Sequence, residues 1–242
     1  MNGKGVETVK TAWLTNIGGK VHNDDTASIL EEKGTYVFVG DGLGAYAGGQ
    51  QASQVASDVM MAQGKKGGLL EEGALRSAAA AADQAVHRLQ EETGGSMKTT
   101  MVFLAIEGGT ARWMHIGDSR LYVFRKGKLQ KQTQDHSVSQ MAVLLGEIAQ
   151  SQIRFHEDRS RILRALGGGN AKPDISQEWK IRRGDAFLLC TDGFWEFVYE
   201  AEMEQLLKSA RTPEAWLKSM EKLLLTRIPE NTDNYTAAAV FC

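Results

Sequence analysis

Aspartates recur at the ends of apolar runs along this chain: Asn23-Asp24-Asp25, Asp41-Gly42, Asp118 in Gly-Asp-Ser-Arg, Asp192-Gly193 and Asp233-Asn234. Strand-like segments lead into several of them, Tyr36 to Val39 into Asp41, Met114 to Ile116 into Asp118, and Phe187 to Cys190 into Asp192. A carboxylate at the mouth of a buried strand is placed to bind something rather than to fill a core. If they converge, they would hold hard divalent cations, which want oxygen ligands. Two such cations neutralise a phosphoryl group and lower the pKa of a water between them, so the set points to phosphate-ester hydrolysis. Asp-Gly suits this work, because glycine lets the backbone come close enough for its carbonyl to ligate. Asp-Gly is also a common hairpin turn. Here, however, a glycine-rich loop and a helical pattern follow Asp41-Gly42, and Phe194-Trp195-Glu196-Phe197 follows Asp192-Gly193.

The elements that must position these residues can be read from periodicity. Strands are expected at 8–16, 25–31 and 34–40. Ala52, Val55, Ala56, Val59 and Met60 then fall at helical spacing over 49–63, and Leu75, Ala79, Ala82, Val86 and Leu89 mark a second helix over 71–93. Strands return at 99–106, 111–117, 120–125 and 129–132, the last after a Lys126-Gly127-Lys128 turn. The stretch 137–166 is polar and poorly periodic. Further strands are expected at 175–181, where Ile175, Trp179 and Ile181 share a parity, at 186–191 and at 235–241. Thr212-Pro213 is a helix start, an N-cap followed by proline at N1, and Trp216, Leu217, Met220, Leu223 and Leu224 form its apolar face up to Pro229. Strands in groups with helix pairs between them predict an α+β layered sandwich rather than alternating βαβ units.

The chain has 242 residues, 42% of them hydrophobic, three prolines and no linker-like stretch, which predicts one domain spanning 1–242. A net charge of -2 with interspersed signs gives no footprint for nucleic acid and no basic patch for a membrane. Two cysteines, Cys190 and Cys242, support neither a disulfide framework nor a zinc site. With no apolar signal core after Met1, the expected location is the cytoplasm.

Together these motifs resemble the PPM-type, protein phosphatase 2C-like, metal-dependent Ser/Thr phosphatases in their compact bacterial form. The matching pieces stand in family order: Gly18 to Asp25, Val39-Gly-Asp-Gly-Leu-Gly44, Thr99-Thr100, Gly117 to Tyr122, Gln134-Asp-His-Ser137, Arg164-Ala-Leu-Gly167, Gly184 to Gly193, and Asp233-Asn234. The resemblance implies a four-layer α-β-β-α sandwich with two central antiparallel β-sheets and a cleft at one edge. It assigns Asp41 as the carboxylate bridging two Mn²⁺ or Mg²⁺ ions and Gly42 as a carbonyl ligand. Asp192 and Asp233 complete one metal, Asp24 and Asp25 serve the other directly or through water, and Asp118 matches the position of a third ion. The segment 137–160 corresponds to a mobile flap. The implied reaction is attack by a metal-bridging hydroxide on phosphoserine or phosphothreonine in a protein, opposing a bacterial Ser/Thr kinase; a monomer is the default expectation for so compact a chain.

The chain departs from the family pattern at four places. Lys20 stands where the family has an arginine that holds the substrate phosphate; lysine keeps the charge and loses the bidentate fork. Asp24 replaces a glutamate. Leu43, Gly44, Ala45 and Tyr46 occupy the stretch where relatives often carry a histidine that protonates the leaving group, and Lys98 replaces a glycine. Lys20 and the missing histidine leave a second reading open, a catalytically weak pseudophosphatase that binds phosphoproteins. A third is a hydrolase of small phosphate esters. His22 and His115 read chiefly as packing or surface residues, and His136 as an organiser of the flap base. Cys190 lacks the arginine six residues on that a cysteine phosphatase needs, Glu196 standing there instead.

Overall fold

In the computed structural model, residues 9–45, 48–169 and 171–242 are described. The chain begins with strands β1 (Lys10–Asn16), β2 (Thr26–Glu31), β3 (Thr35–Gly40) and the short β4 (Gly42–Leu43). Helices α1 (Gly48–Lys66) and α2 (Glu72–Thr93) follow, then β5 (Lys98–Thr99), β6 (Met101–Glu107), β7 (Thr110–Ile116), β8 (Arg120–Arg125) and β9 (Lys128–Gln132). After α3 (Val138–Leu144) and a 3-10 turn, Gln150–Phe155, come β10 (Asp174–Ile175), β11 (Trp179–Lys180) and β12 (Asp185–Cys190). The short α4 (Asp192–Trp195), then α5 (Glu200–Ser209), α6 (Pro213–Leu224) and β13 (Tyr235–Phe241), complete the order.

Two large antiparallel sheets form, one ordered β1-β13-β12-β8-β9 and the other β10-β7-β6-β3-β2, with β11 also on β7, and β4 and β5 make a small two-stranded third. Because strand side chains alternate faces, each central strand feeds two apolar layers. Val37, Val39, Val102, Leu104, Phe187, Leu189, Ala238 and Val240 meet between the sheets. Tyr36, Phe38, Phe103 and Ala105 face outward onto Ala52, Ala56 and Met60 of α1 and Leu75, Ala79 and Ala82 of α2. On the other side Ala186, Leu188, Ala237 and Ala239 face Met203 of α5 and Trp216, Leu217 and Met220 of α6. The alanines on α1 and α2 let these helices lie close to the sheet. This is the expected α-β-β-α sandwich.

Three boundaries differ from the sequence reading. The strand expected at 175–181 breaks into β10 and β11. Ile175 pairs with Met114 but Trp179 pairs with Ala111, so one extra residue bulges from the ladder. Ser176 there bonds to Trp113 through both its backbone N–H and its hydroxyl. Helix α6 ends at Leu224 rather than running to Pro229, because the N–H groups of Thr226 and Arg227 turn back to the carbonyls of Leu223 and Leu224. The strand expected from residue 8 is seen from Lys10; Thr8 lies outside the described residues. Among the described residues no helix is long and apolar enough to cross a membrane.

Candidate metal centre

The aspartates sit where strands of both sheets end. Asp41 follows β3, and its backbone is clamped: its N–H donates to Thr100 Oγ1 at 2.9 Å, while its carbonyl accepts from the Thr100 N–H at 2.8 Å and the Thr99 hydroxyl at 2.9 Å. Gly42 donates its N–H to the Asp24 carbonyl at 3.1 Å. A Cβ on Gly42 would stand 2.0 Å from the Gly49 carbonyl oxygen, so only glycine lets β4 pass the start of α1. Asp118 lies in the turn between β7 and β8, Asp192 opens α4 after β12, and Asp233 precedes β13.

The loop between β1 and β2 brings in the rest. Asn234 is its anchor: its side-chain amide donates to the carbonyls of Ile17 and His22 at 2.8 and 2.9 Å, and its Oδ1 accepts the Asp24 N–H at 2.8 Å. Asp25 is buried and accepts the Thr191 hydroxyl at 2.9 Å. The Asp24 carboxylate accepts the Gln50 N–H at 3.0 Å, in the first turn of α1. It therefore caps a helix as well as facing the cleft. Lys20, carried by a loop whose Gly19 N–H donates to the Thr232 carbonyl at 3.0 Å, places its ammonium 3.1 Å from Asp233 Oδ1.

Several of the seven predicted metal-site residues thus crowd one electrostatic neighbourhood. Asp41 is held well above the usual carboxylate range, by burial first and then by the charges of Asp192, Asp25, Asp118 and Asp233. Asp192 is raised in the same way, by burial and then by Asp118, Glu196, Asp233 and Asp25. Asp25 is pushed up to about 7, chiefly by burial, against the hydrogen bonds from Thr236 and Thr191. Asp118 also rises to about 7, through burial and then the charge of Asp135. Both carboxylate oxygens of Asp118 are buried without a hydrogen-bond partner.

Buried carboxylates repelling one another and an orphaned carboxylate are what a cation site presents without its charge. The donors are all oxygen, which fits Mn²⁺ or Mg²⁺ rather than zinc or copper. No three of these described aspartates bring oxygens within 4.8 Å of one another, so they line a cleft rather than close round a single point. Water would complete the coordination, as Mg²⁺ in particular prefers.

One other trio does approach that closely: His115, His136 and Asp174. The two rings stack nearly parallel, 4.7 Å apart and inclined by 11°, which directs their nitrogen lone pairs side by side rather than at one point. His115 Nε2 donates to the Gln134 carbonyl at 2.7 Å, and the Arg164 guanidinium lies 3.4 Å from His136 Nε2. His136 Nδ1 and backbone N–H bond to the N–H and carbonyl of Gly117, and its carbonyl accepts from Leu163. The pair ties the Asp118 turn to the segment after α3.

Other supports lie in motifs quoted from the sequence, but their roles were not read there. Arg120 forms a buried fork with Asp135, at 2.8 and 2.7 Å, and lies 3.4 Å over the Trp195 ring. Trp195 Nε1 in turn donates to the Asp118 carbonyl at 2.9 Å. Of the residues standing where relatives carry a histidine, Leu43, Gly44 and Ala45 are seen beside the cleft; Tyr46 lies outside the described residues.

Comparison with known proteins agrees with this geometry. A family profile described as Protein phosphatase 2C matches residues 16–233. The chain is 31% identical to the serine/threonine protein phosphatase PstP of Mycobacterium tuberculosis over 83% of its own length, spanning 39% of that protein. It is also 31% identical to the serine/threonine phosphatase stp of Listeria innocua, over 79% of each. The crystal structure of the M. tuberculosis phosphatase superposes with a TM-score of 0.86 at 27% identity, covering 96% of this chain and 98% of that one. A structure of the catalytic domain of PstP in complex with two manganese ions superposes with a TM-score of 0.83 at 27% identity, covering 96% and 97%.

Proposed function

The chain belongs to the protein phosphatase 2C family, and we propose that it removes phosphate from phosphoserine and phosphothreonine in proteins, using divalent cations held by its aspartates. The observation that carries this reading is the set of buried, mutually repelling carboxylates around Asp41, with Asp118 left without a partner. Asp41 and the Gly42 carbonyl would lie at the centre, Asp192 and Asp233 on one side, Asp25 and Asp24 on the other, and Asp118 at a further ion. Two cations there would neutralise the phosphoryl oxygens and make a water acidic enough to serve as nucleophile near neutral pH.

The protein's own groups hold that arrangement. Thr99 and Thr100 fix the Asp41 backbone, Thr191 orients Asp25, and Asn234 fastens the loop carrying Lys20 and Asp24. Lys20, half exposed and paired with Asp233, is the cation at the lip that a substrate phosphate would draw away. Cys190 is buried, and burial pushes its thiol up, which supports transfer of the phosphate to water rather than to sulfur. The segment 137–160 acts as a flap over the substrate protein. The acting unit is one domain and a monomer, working in the cytoplasm against a Ser/Thr kinase; the names of the relatives support a phosphoprotein substrate.

The Lys20–Asp233 pair favours one competing reading, slow turnover in a phosphoprotein-binding module. Hydrolysis of p-nitrophenyl phosphate and a phosphothreonine peptide by EDTA-stripped protein, with and without Mn²⁺, separates the two. Turnover should require the metal and be lost in both Asp41→Asn and Asp192→Asn. Peptide binding without turnover would establish the module instead, and metal-independent turnover would refute both.

A further inference from the structure

Next along the chain from Gly42 lies a cavity of about 370 Å³, lined in part by Leu43, Lys98, Ile162, Leu163, Arg164 and Gly168. Its place is fixed by register. Gly42, the expected carbonyl ligand, pairs with Thr99, and the next pair along is Leu43 with Lys98. Thr99 is also bridged to Leu166, its N–H and carbonyl bonding to that residue at 3.1 and 2.9 Å. The cavity therefore opens one strand pair from the proposed metal centre, walled by the chain returning from the segment after α3.

Its lining carries two cations, Lys98 and Arg164, and no carboxylate. Thr99 is buried, so the alternation of β5 leaves Lys98 exposed, and among the described residues its ammonium makes no hydrogen bond or ion pair. Arg164 commits only Nη1, at 3.4 Å to Asp174 Oδ1 and at 3.4 Å to His136 Nε2. Among the described residues its Nε and Nη2 have no partner. Leu43, Ile162 and Leu163 supply apolar walls.

We propose that this cavity is a specificity subsite for an acidic side chain flanking the phosphorylated residue, held by Lys98 and Arg164. The proposal rests on the phosphatase reading, because only a phosphoresidue seated at the aspartates brings its neighbours here. An extended peptide advances about 3.3 Å per residue, so a neighbour one or two positions from the phosphoresidue reaches the cavity. A half-exposed carboxylate on two cations is expected to favour such a peptide about tenfold over a neutral one. Lysine at position 98 would thus give this chain a preference that a glycine there could not.

The test uses phosphothreonine peptides with Asp, Ala, Lys or a second phosphothreonine placed one or two residues to either side. For the wild type, Lys98→Glu and Arg164→Gln, kcat/KM is measured on each peptide and the Asp-to-Ala ratio compared, with p-nitrophenyl phosphate reporting the metal centre. Kd values from anisotropy of the labelled peptides give the same ratio if turnover fails. The wild-type ratio should be about ten at one flank position, fall towards one in Arg164→Gln, and invert in favour of Lys in Lys98→Glu. A wild-type ratio of one at every position, or one that survives both substitutions, would overturn the subsite while p-nitrophenyl phosphate turnover left the phosphatase standing. A second phosphothreonine preferred well beyond Asp would overturn the carboxylate assignment.

Discussion

Replacing Asp118 with asparagine should make the metal-free protein more stable, although the proposed function assigns the residue to a cation. Its carboxyl is buried, has no hydrogen-bond partner, and is raised from 3.8 to about 7. A value raised on folding means that stability is greatest with the group protonated and is lost as pH climbs through the interval from 3.8 to about 7. Above that interval, at about 1.4 kcal/mol per pKa unit, the charged side chain costs the fold about 4 kcal/mol. Asparagine removes the charge but leaves an amide in the same unpartnered place, at about 1–3 kcal/mol. The net gain is therefore roughly 1–3 kcal/mol, or about 3–8 °C in Tm for a chain of this size. Thermal melts in EDTA should show that gain at pH 8, and at pH 4.5, where the folded wild-type Asp118 is neutral, no gain or a loss of up to about 2 kcal/mol. Saturating Mn²⁺ should shrink or reverse it, because the cation supplies the missing charge to the wild type alone. A variant no more stable than wild type at pH 8 without metal would refute the reasoning. So would an equal gain at both pH values, which would make the effect one of packing.

Two further outcomes are expected. Gly42→Ala places a Cβ 2.0 Å from the Gly49 carbonyl oxygen and 2.7 Å from that of Asp24. It should cost about 1–3 kcal/mol of stability and at least about tenfold in Mn²⁺ affinity by calorimetry; wild-type values for both would contradict the close approach. Burial and the neighbouring His115 hold His136 at about 4, below its usual 6.5. The neutral ring is then the form the fold retains, so its contribution is full above the unfolded value and is lost as pH falls towards 4. Urea midpoints from pH 7 to 4.5 should decline less in His136→Gln, by about 2–3 kcal/mol, and parallel slopes would rule this out.

The layers were legible because each rests on a period. The unbroken apolar runs Tyr36 to Val39 and Phe187 to Cys190 are those of strands buried on both faces, and the alanine spacing of α1 and α2 is that of a helix on a sheet. The break between β10 and β11 was not, because a bulge is made by the partner strand, and Ser176 gives no local sign that it will bond to Trp113. Within the site, strand-end position was enough to single out the aspartates. Their supports were not, because Asn234 acts on Asp24 across 210 residues and Thr191 on Asp25 across 166. Lys20 was read as a residue facing substrate, and in the structure it faces Asp233. Asp24 was read as a cation ligand, and it also caps α1.

The pairing of β1 with β13, in register from Lys10 with Phe241 to Asn16 with Tyr235, bears on how the protein is made. Asp24 leaves the ribosome 210 residues before Asn234, which fastens its loop. Non-local strand pairing of this kind is slow, since loop closure must precede the contacts that reward it. Until β13 emerges, β1 lacks this partner and the early aspartates have no Asn234 to hold them. The nascent chain should therefore gain cation binding in one late step, and a ribosome stalled before Asp233 would present a protein with its helices docked and its chemistry absent.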